Sequence, residues 1–103
     1  MKQHRYRVTI EHLALPDGSP PLAPQPLSFQ TGNHDDILAI VARMRLRGDL
    51  PEADATAFAV GLKLFSEVML QHRELPLFAG FAPHFKAFMQ QLKRGPAATQ
   101  GNA

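Results

Sequence analysis

The chain of 103 residues has no cysteine, which excludes a disulfide, a thiolate nucleophile and a cysteine-held metal. The same absence leaves the redox compartment undetermined. Net charge is also scarce: the formal value is +2, despite a pI near 9.4. That excess is too small to argue on its own for nucleic acid or an anionic membrane. No apolar run approaches the ~20 residues that span a bilayer. The opening Met1-Lys2-Gln3-His4-Arg5 leads into a polar-alternating segment rather than a signal region, so a cytoplasmic protein is expected. Catalytic signatures are missing too. Ser19, Ser28 and Ser66 lack the Gly-x-Ser-x-Gly turn of an acyl-transfer nucleophile. Gly61 and Gly80 stand alone rather than in a phosphate loop, and the histidines form no HExxH pair. No cofactor is implied.

What is present reads as one globular domain. Hydrophobic residues make up 45% and charged residues 19%, enough apolar material to exclude disorder throughout. The domain is expected over residues 1–94. Residues 95–103 carry no large apolar group and are expected to be a disordered tail.

The largest apolar face belongs to the stretch from Asp54 to Arg73. At helical angles Phe58, Gly61, Leu62, Phe65, Val68 and Met69 share one side, with Thr56, Lys63 and Glu67 opposite. The sequence therefore predicts a central amphipathic helix with that side packed in the core. Gly61 inside it costs about 1 kcal/mol relative to alanine, which close packing against another backbone would justify.

Taken in order, Arg5–Leu13 alternates, with Tyr6, Val8, Ile10 and His12 on one face, and reads as a half-buried strand. Leu15–Pro26 holds five prolines and must be mostly loop, with Asp17-Gly18 a turn inside it. A second strand is expected at Leu27–Gln30, pairing antiparallel with the first. A helix follows with Asn33 as N-cap, Asp35 and Asp36 in its first turn, and a stripe of Ile37, Ile40, Val41 and Met44. Gly48 ends it, and Asp49 with Glu52 can form a capping box for the central helix. A last helix spans Pro83–Arg94 with Phe85, Phe88, Met89 and Leu92 on one face. Because a lone hairpin needs a cover for its apolar face, the fold class is α+β: a two-stranded antiparallel β-hairpin packed on a three-helix layer.

Three groups of residues carry candidate chemistry. His34-Asp35-Asp36 offers a histidine beside two carboxylates, suited to a metal or to general-base work. With Asn33, and with His72 or His84 brought near by folding, this cluster would make a ligand-binding or metal-dependent, enzyme-like protein. Successive helical residues diverge by about 100°, however, and capping already accounts for both aspartates. His72 suits a helix C-terminus, and His84 an exposed helix start. Arg5, Arg7, Arg43 and Arg47 would carry nucleic-acid binding. No aromatic platform is interleaved among them, which argues against such a partner, and Arg43 and Arg47 are expected to lay their stems along the apolar stripe. Leu75, Phe78 and Phe81, in the apolar segment Glu74–Pro83, either anchor a protein partner or pin their loop to the core. The strand Arg5–Leu13 has an unprotected edge through which a homodimer could extend the sheet.

The stretches Gly32-Asn33-His34-Asp35-Asp36-Ile37, Phe58 to Leu70, and Pro76-Leu77-Phe78-Ala79 with Phe81 to Phe85 follow the opening Tyr6 to Leu13. Together they resemble a family of small bacterial proteins catalogued as a domain of unknown function, number 3861, over residues 4–94. The resemblance implies a compact α+β fold in the bacterial cytoplasm and transfers no catalytic residue, because none is assigned. The proline-dense connection departs from the family's pattern, so nothing is implied about its shape. A non-catalytic protein-interaction or binding module is the reading the residues favour.

Overall fold

The structure, a computed structural model, describes residues 2–23 and 25–96. Six elements run in the order β1 (His4–Ile10), β2 (Leu27–Asn33), α1 (Ile37–Arg45), α2 (Glu52–Gln71), α3 (Pro76–Ala79) and α4 (Ala82–Arg94). Among the described residues the fold is therefore α+β, with four helices where the sequence predicts three. The chain divides into two compact units, residues 1–34 and 35–103. Residues 97–103 of the expected tail lie outside the described residues.

In the first unit β1 and β2 pair antiparallel, with His4 opposite Asn33 and Ile10 opposite Leu27. The first strand is shorter than the expected Arg5–Leu13. Beyond Ile10 its partner strand would have to continue through Pro26, which has no N–H to donate. The second strand is longer than expected and runs on to Asn33, because His4, Arg5 and Tyr6 supply partners for Thr31, Gly32 and Asn33. Val8 faces Phe29 across the ladder, and the hydroxyls of Thr9 and Ser28 lie 3.1 Å apart. The Gln3 side chain occupies the space a Cβ at Gly32 would need. In the connection, the expected turn forms at Asp17-Gly18. Gly18 N–H donates to the Leu15 carbonyl (2.8 Å) with φ +89°, a conformation that favours glycine. Asp17 Oδ1 accepts from the Ser19 hydroxyl (2.6 Å) and N–H (3.0 Å), and these bonds lower its pKa.

In the second unit α1 begins at Ile37. Its N-cap is Asp36, whose carboxylate accepts from Ala39 N–H at 3.1 Å, rather than Asn33. The strand carries the backbone in extended form through Asn33, so the helix starts three residues later than predicted. Asp35 instead binds Lys63 Nζ at 2.6 Å. The core is small: among the described residues its buried apolar side chains are Ile37, Val41 and Met44 of α1 and Ala55, Ala59 and Met69 of α2, and α1 packs on α2. Ala55 and Ala59 are completely buried. Their short side chains let the two helices approach closely, since interaxial distance follows side-chain size at the contact.

This close approach decides which side of α2 faces inward, and that side is rotated from the one predicted: Met69 is buried as expected and Phe58 and Leu62 are half-buried. Gly61, Phe65 and Val68 face outward, while Lys63 and Glu67 turn toward the packed side. Apolar residues lie nearly all round α2, so hydrophobicity alone does not select a face. The alanines and the Lys63–Asp35 pair select it. Glu67, 6% exposed, accepts from Gln71 Nε2 at 3.0 Å.

The expected capping box for α2 is not formed. Pro51 holds the N-cap without a side-chain bond, because Asp49 is engaged elsewhere. Gly48 does take the left-handed conformation expected of it (φ +87°). Helix α3 is a single turn at Pro76–Ala79, where the sequence suggests only an apolar loop. Proline at its first position is preset for helix. Neither α3 nor α4 contains a buried residue.

Candidate functional site

Phenylalanine is the commonest aromatic of this chain, with seven copies, and six of them form one connected array. Phe65 on α2 is its hub. Its ring meets Phe78 of α3, Phe81 just before α4 and Phe85 of α4 edge-on, with centroids 6.2, 6.1 and 6.0 Å away. Phe81 and Phe88 each neighbour Phe85, and Phe88 meets Phe58 in a T-shaped contact at 6.1 Å. Edge-to-face pairs at such distances add about 0.5–1.5 kcal/mol each beyond area burial. These rings therefore hold α3 and α4 against α2.

The array is not covered. Phe65, Phe81 and Phe88 are 43%, 42% and 45% exposed, and Leu77 is 76% exposed. Phe65, Leu77, Phe78 and Phe81 line an open cavity of about 340 Å³ with no polar side chain in its wall. Such a lining offers no proton, charge or nucleophile. What it offers is displacement of water by apolar groups of a matching shape.

A second feature closes the other end of the helical unit. Arg47, in the connection between α1 and α2, donates from Nε to Asp49 Oδ1 (3.0 Å) and from Nη2 to Oδ2 (2.7 Å). Its Nη1 donates to the Leu92 carbonyl in the last turn of α4 at 3.1 Å. The Arg47 stem lies beside Ile40 and Met44 of the apolar stripe, and its guanidinium adds a two-pronged clamp. The guanidinium holds the Asp49 carboxyl below its ordinary pKa. A carboxylate lowered in the folded state stabilises the fold above its unfolded pKa of about 4. That contribution disappears as pH falls through the lower, folded-state value. Asp49→Asn is therefore expected to flatten the acid limb of the stability curve relative to the native chain, as read from unfolding midpoints between about pH 2 and 7.

The other sequence candidates are scattered. Asn33 is completely buried at the end of β2, and His34 beside it is exposed. Asp36 is occupied as the α1 N-cap, and Asp35 by Lys63. His72 is the exposed C-cap of α2. His84 is exposed and stacked on Phe81, centroids 6.5 Å apart. Among the described residues no group of three or more His, Asp or Glu is placed to hold a metal ion. Of the interface candidates, Phe78 and Phe81 line the cavity, and Leu75 caps α3 beside it, 42% exposed. Sequence reasoning missed Phe65 and Leu77. The signal that points to Phe65 is the lack of a polar face on the outer side of α2.

Comparison with known proteins returns a family and a fold. The profile of a family described as a domain of unknown function with solved structure (DUF3861) matches residues 4–94. No curated protein matches the chain. A crystal structure of a protein of unknown function from Pectobacterium atrosepticum is similar, with 36% identity and a TM-score of 0.78 over 90% of this chain and 99% of that one. Among the described residues no helix is long and apolar enough to cross a membrane.

Proposed function

On the premise that the chain belongs to the DUF3861 family, whose function is unknown, we propose that it is a non-catalytic protein-interaction module working through the open phenylalanine face of α2, α3 and α4. The observation that carries this reading is the cavity of Phe65, Leu77, Phe78 and Phe81, apolar in every wall and open to solvent. Monomers rarely leave contiguous apolar patches beyond about 300–600 Å² unless something binds there. The three rings and Leu77 approach that size by themselves.

Three further expectations are carried forward as part of the proposal. They are a bacterial cytoplasmic setting, a single domain over residues 1–94, and a hairpin packed on a three-helix layer. The last rests on the alternation of Tyr6, Val8 and Ile10 and on the need of a two-stranded sheet for a cover. Self-association through the β1 strand edge remains a second route. Among the described residues the sheet holds two strands only, so each strand has one side outside the ladder.

The reading is tested by placing a photo-crosslinking side chain at position 77 or at position 90 in the full-length protein and irradiating it in the cell. Gln90 is an exposed polar position of α4. A discrete protein adduct from position 77 and none from position 90 is the expected result. No adduct from position 77, or equal labelling from both, overturns it.

A further inference from the structure

The outer face of α2 says more about the occupant. From Ala57 through Gly61 and Leu64 to Phe65 and Val68 it carries no charged residue, and all but Leu64 are exposed. The charged residues of this stretch, Lys63 and Glu67, point the other way. A helix that turns its charges inward and its apolar residues outward is presenting a surface to be covered.

Gly61 lies at the centre of this face. A Cβ built there meets nothing within 4 Å, so the glycine serves no close approach inside the chain. It nevertheless weakens the helix in which it sits. The stripe is also graded along its length, small at Ala57 and Gly61 and bulky at Leu64, Phe65 and Val68. An antiparallel copy of the same helix, related by a two-fold axis near Gly61, sets Phe65 of each copy against Ala57 of the other and Gly61 against Gly61, where the two backbones can approach closely. Such self-complementarity is what an isologous dimer requires. A parallel copy would instead set Phe65 against Phe65 and Val68 against Val68.

The exposed area fits as well. With Val68 at 50% exposure added to the rings and Leu77, the apolar patch presents on the order of 500 Å², taking about 200 Å² for a whole aromatic side chain. Two copies then bury about 1,000 Å² of apolar surface alone, the threshold above which a specific interface is expected.

We infer that the partner of the phenylalanine face is a second copy of this chain, docked through α2 against α2 in antiparallel fashion about a two-fold axis at Gly61. This rests on the interaction-module reading and specifies its occupant.

Sedimentation equilibrium of the full chain, with Gly61→Leu and Val68→Glu beside it, tests the inference. The native chain is expected to be a dimer at micromolar concentration. Each substitution is expected to raise the dimer dissociation constant at least tenfold, a change readily read from such equilibria. Both positions face solvent within one chain, so helix content by circular dichroism is expected to be preserved. For Gly61→Leu the monomer's melting temperature is expected not to fall. A native chain that stays monomeric up to on the order of 100 µM, or a dimer that survives both substitutions, overturns the inference. A monomer that still gives a crosslinked adduct of foreign mass from position 77 leaves the module reading standing and removes only the second copy. A monomer with no adduct removes both.

Discussion

Ala59→Leu is expected to lower the melting temperature by roughly 10–20 °C, the largest loss of any single substitution considered. Ala59 has no solvent exposure and sits where α1 and α2 pack together. Three added carbons have no void to enter, and overpacking a close-packed site costs typically 1–3 kcal/mol. In a domain of this size each kcal/mol is worth about 4–8 °C. Thermal unfolding followed by circular dichroism reads the shift. Position 61 is the internal control. There the added methyl of Gly61→Ala meets nothing, and the gain in helix propensity of about 1 kcal/mol is expected to raise the melting temperature of the dissociated chain. A loss at 61 comparable to that at 59 would mean that the inward side of α2 had been misassigned.

Phe65→Ala is expected to release the C-terminal helices. Neither α3 nor α4 has a buried residue, and the Phe65 ring touches Phe78, Phe81 and Phe85 at once. Full burial of a phenylalanine makes its loss worth 3–5 kcal/mol. With 43% of Phe65 exposed, about 2 kcal/mol is the expected cost. Its distribution is more diagnostic than its size. Amide exchange is expected to accelerate across residues 76–94, while α1 and the first half of α2, held by Ala55 and Ala59, stay protected. Arg47 still ties the end of α4 through the Leu92 carbonyl, so the last turn is expected to exchange more slowly than the first. Uniform acceleration along the whole unit would show that the rings and the α1–α2 core unfold together.

The fold was legible in the sequence wherever a local rule acts on neighbouring residues. Alternation marked β1, the stripe Ile37, Ile40, Val41 and Met44 marked α1, and the run of apolar residues marked α2. Gly48 marks the end of α1 and takes the positive φ such a position favours. Boundaries were less legible. Asn33 suits an N-cap as well as Asp36 does, and only the pairing of β2 with His4–Tyr6 shows that the strand continues past Gln30. Asp49 likewise suits a capping box. It forms a fork with Arg47 instead because two charge-assisted bonds outweigh one cap.

The candidate site was half legible. Leu75, Phe78 and Phe81 stand out as apolar residues flanking Pro76 and preceding Pro83, and the structure places Phe78 and Phe81 in the cavity wall. Phe65 did not stand out, because its helical angle matches Phe58 and Leu62 and a wheel diagram puts all three in the core. The inward side of α2 depends on how closely α1 can approach, and that is a property of two helices rather than of one.

By itself the sequence determined the kinds and order of the main elements, the turn at Asp17-Gly18 and the absence of cysteine chemistry, since each follows from residues within a few positions of one another. Tertiary structure alone decided that Lys63 and Glu67 turn inward, that Phe65 faces water, and that six phenylalanines from three helices meet in one array. The physical reason is that α2 is apolar on nearly every side. Its hydrophobic pattern leaves the rotation of the helix undetermined, and the alanine contact with α1, with Asp35 waiting for Lys63, settles it.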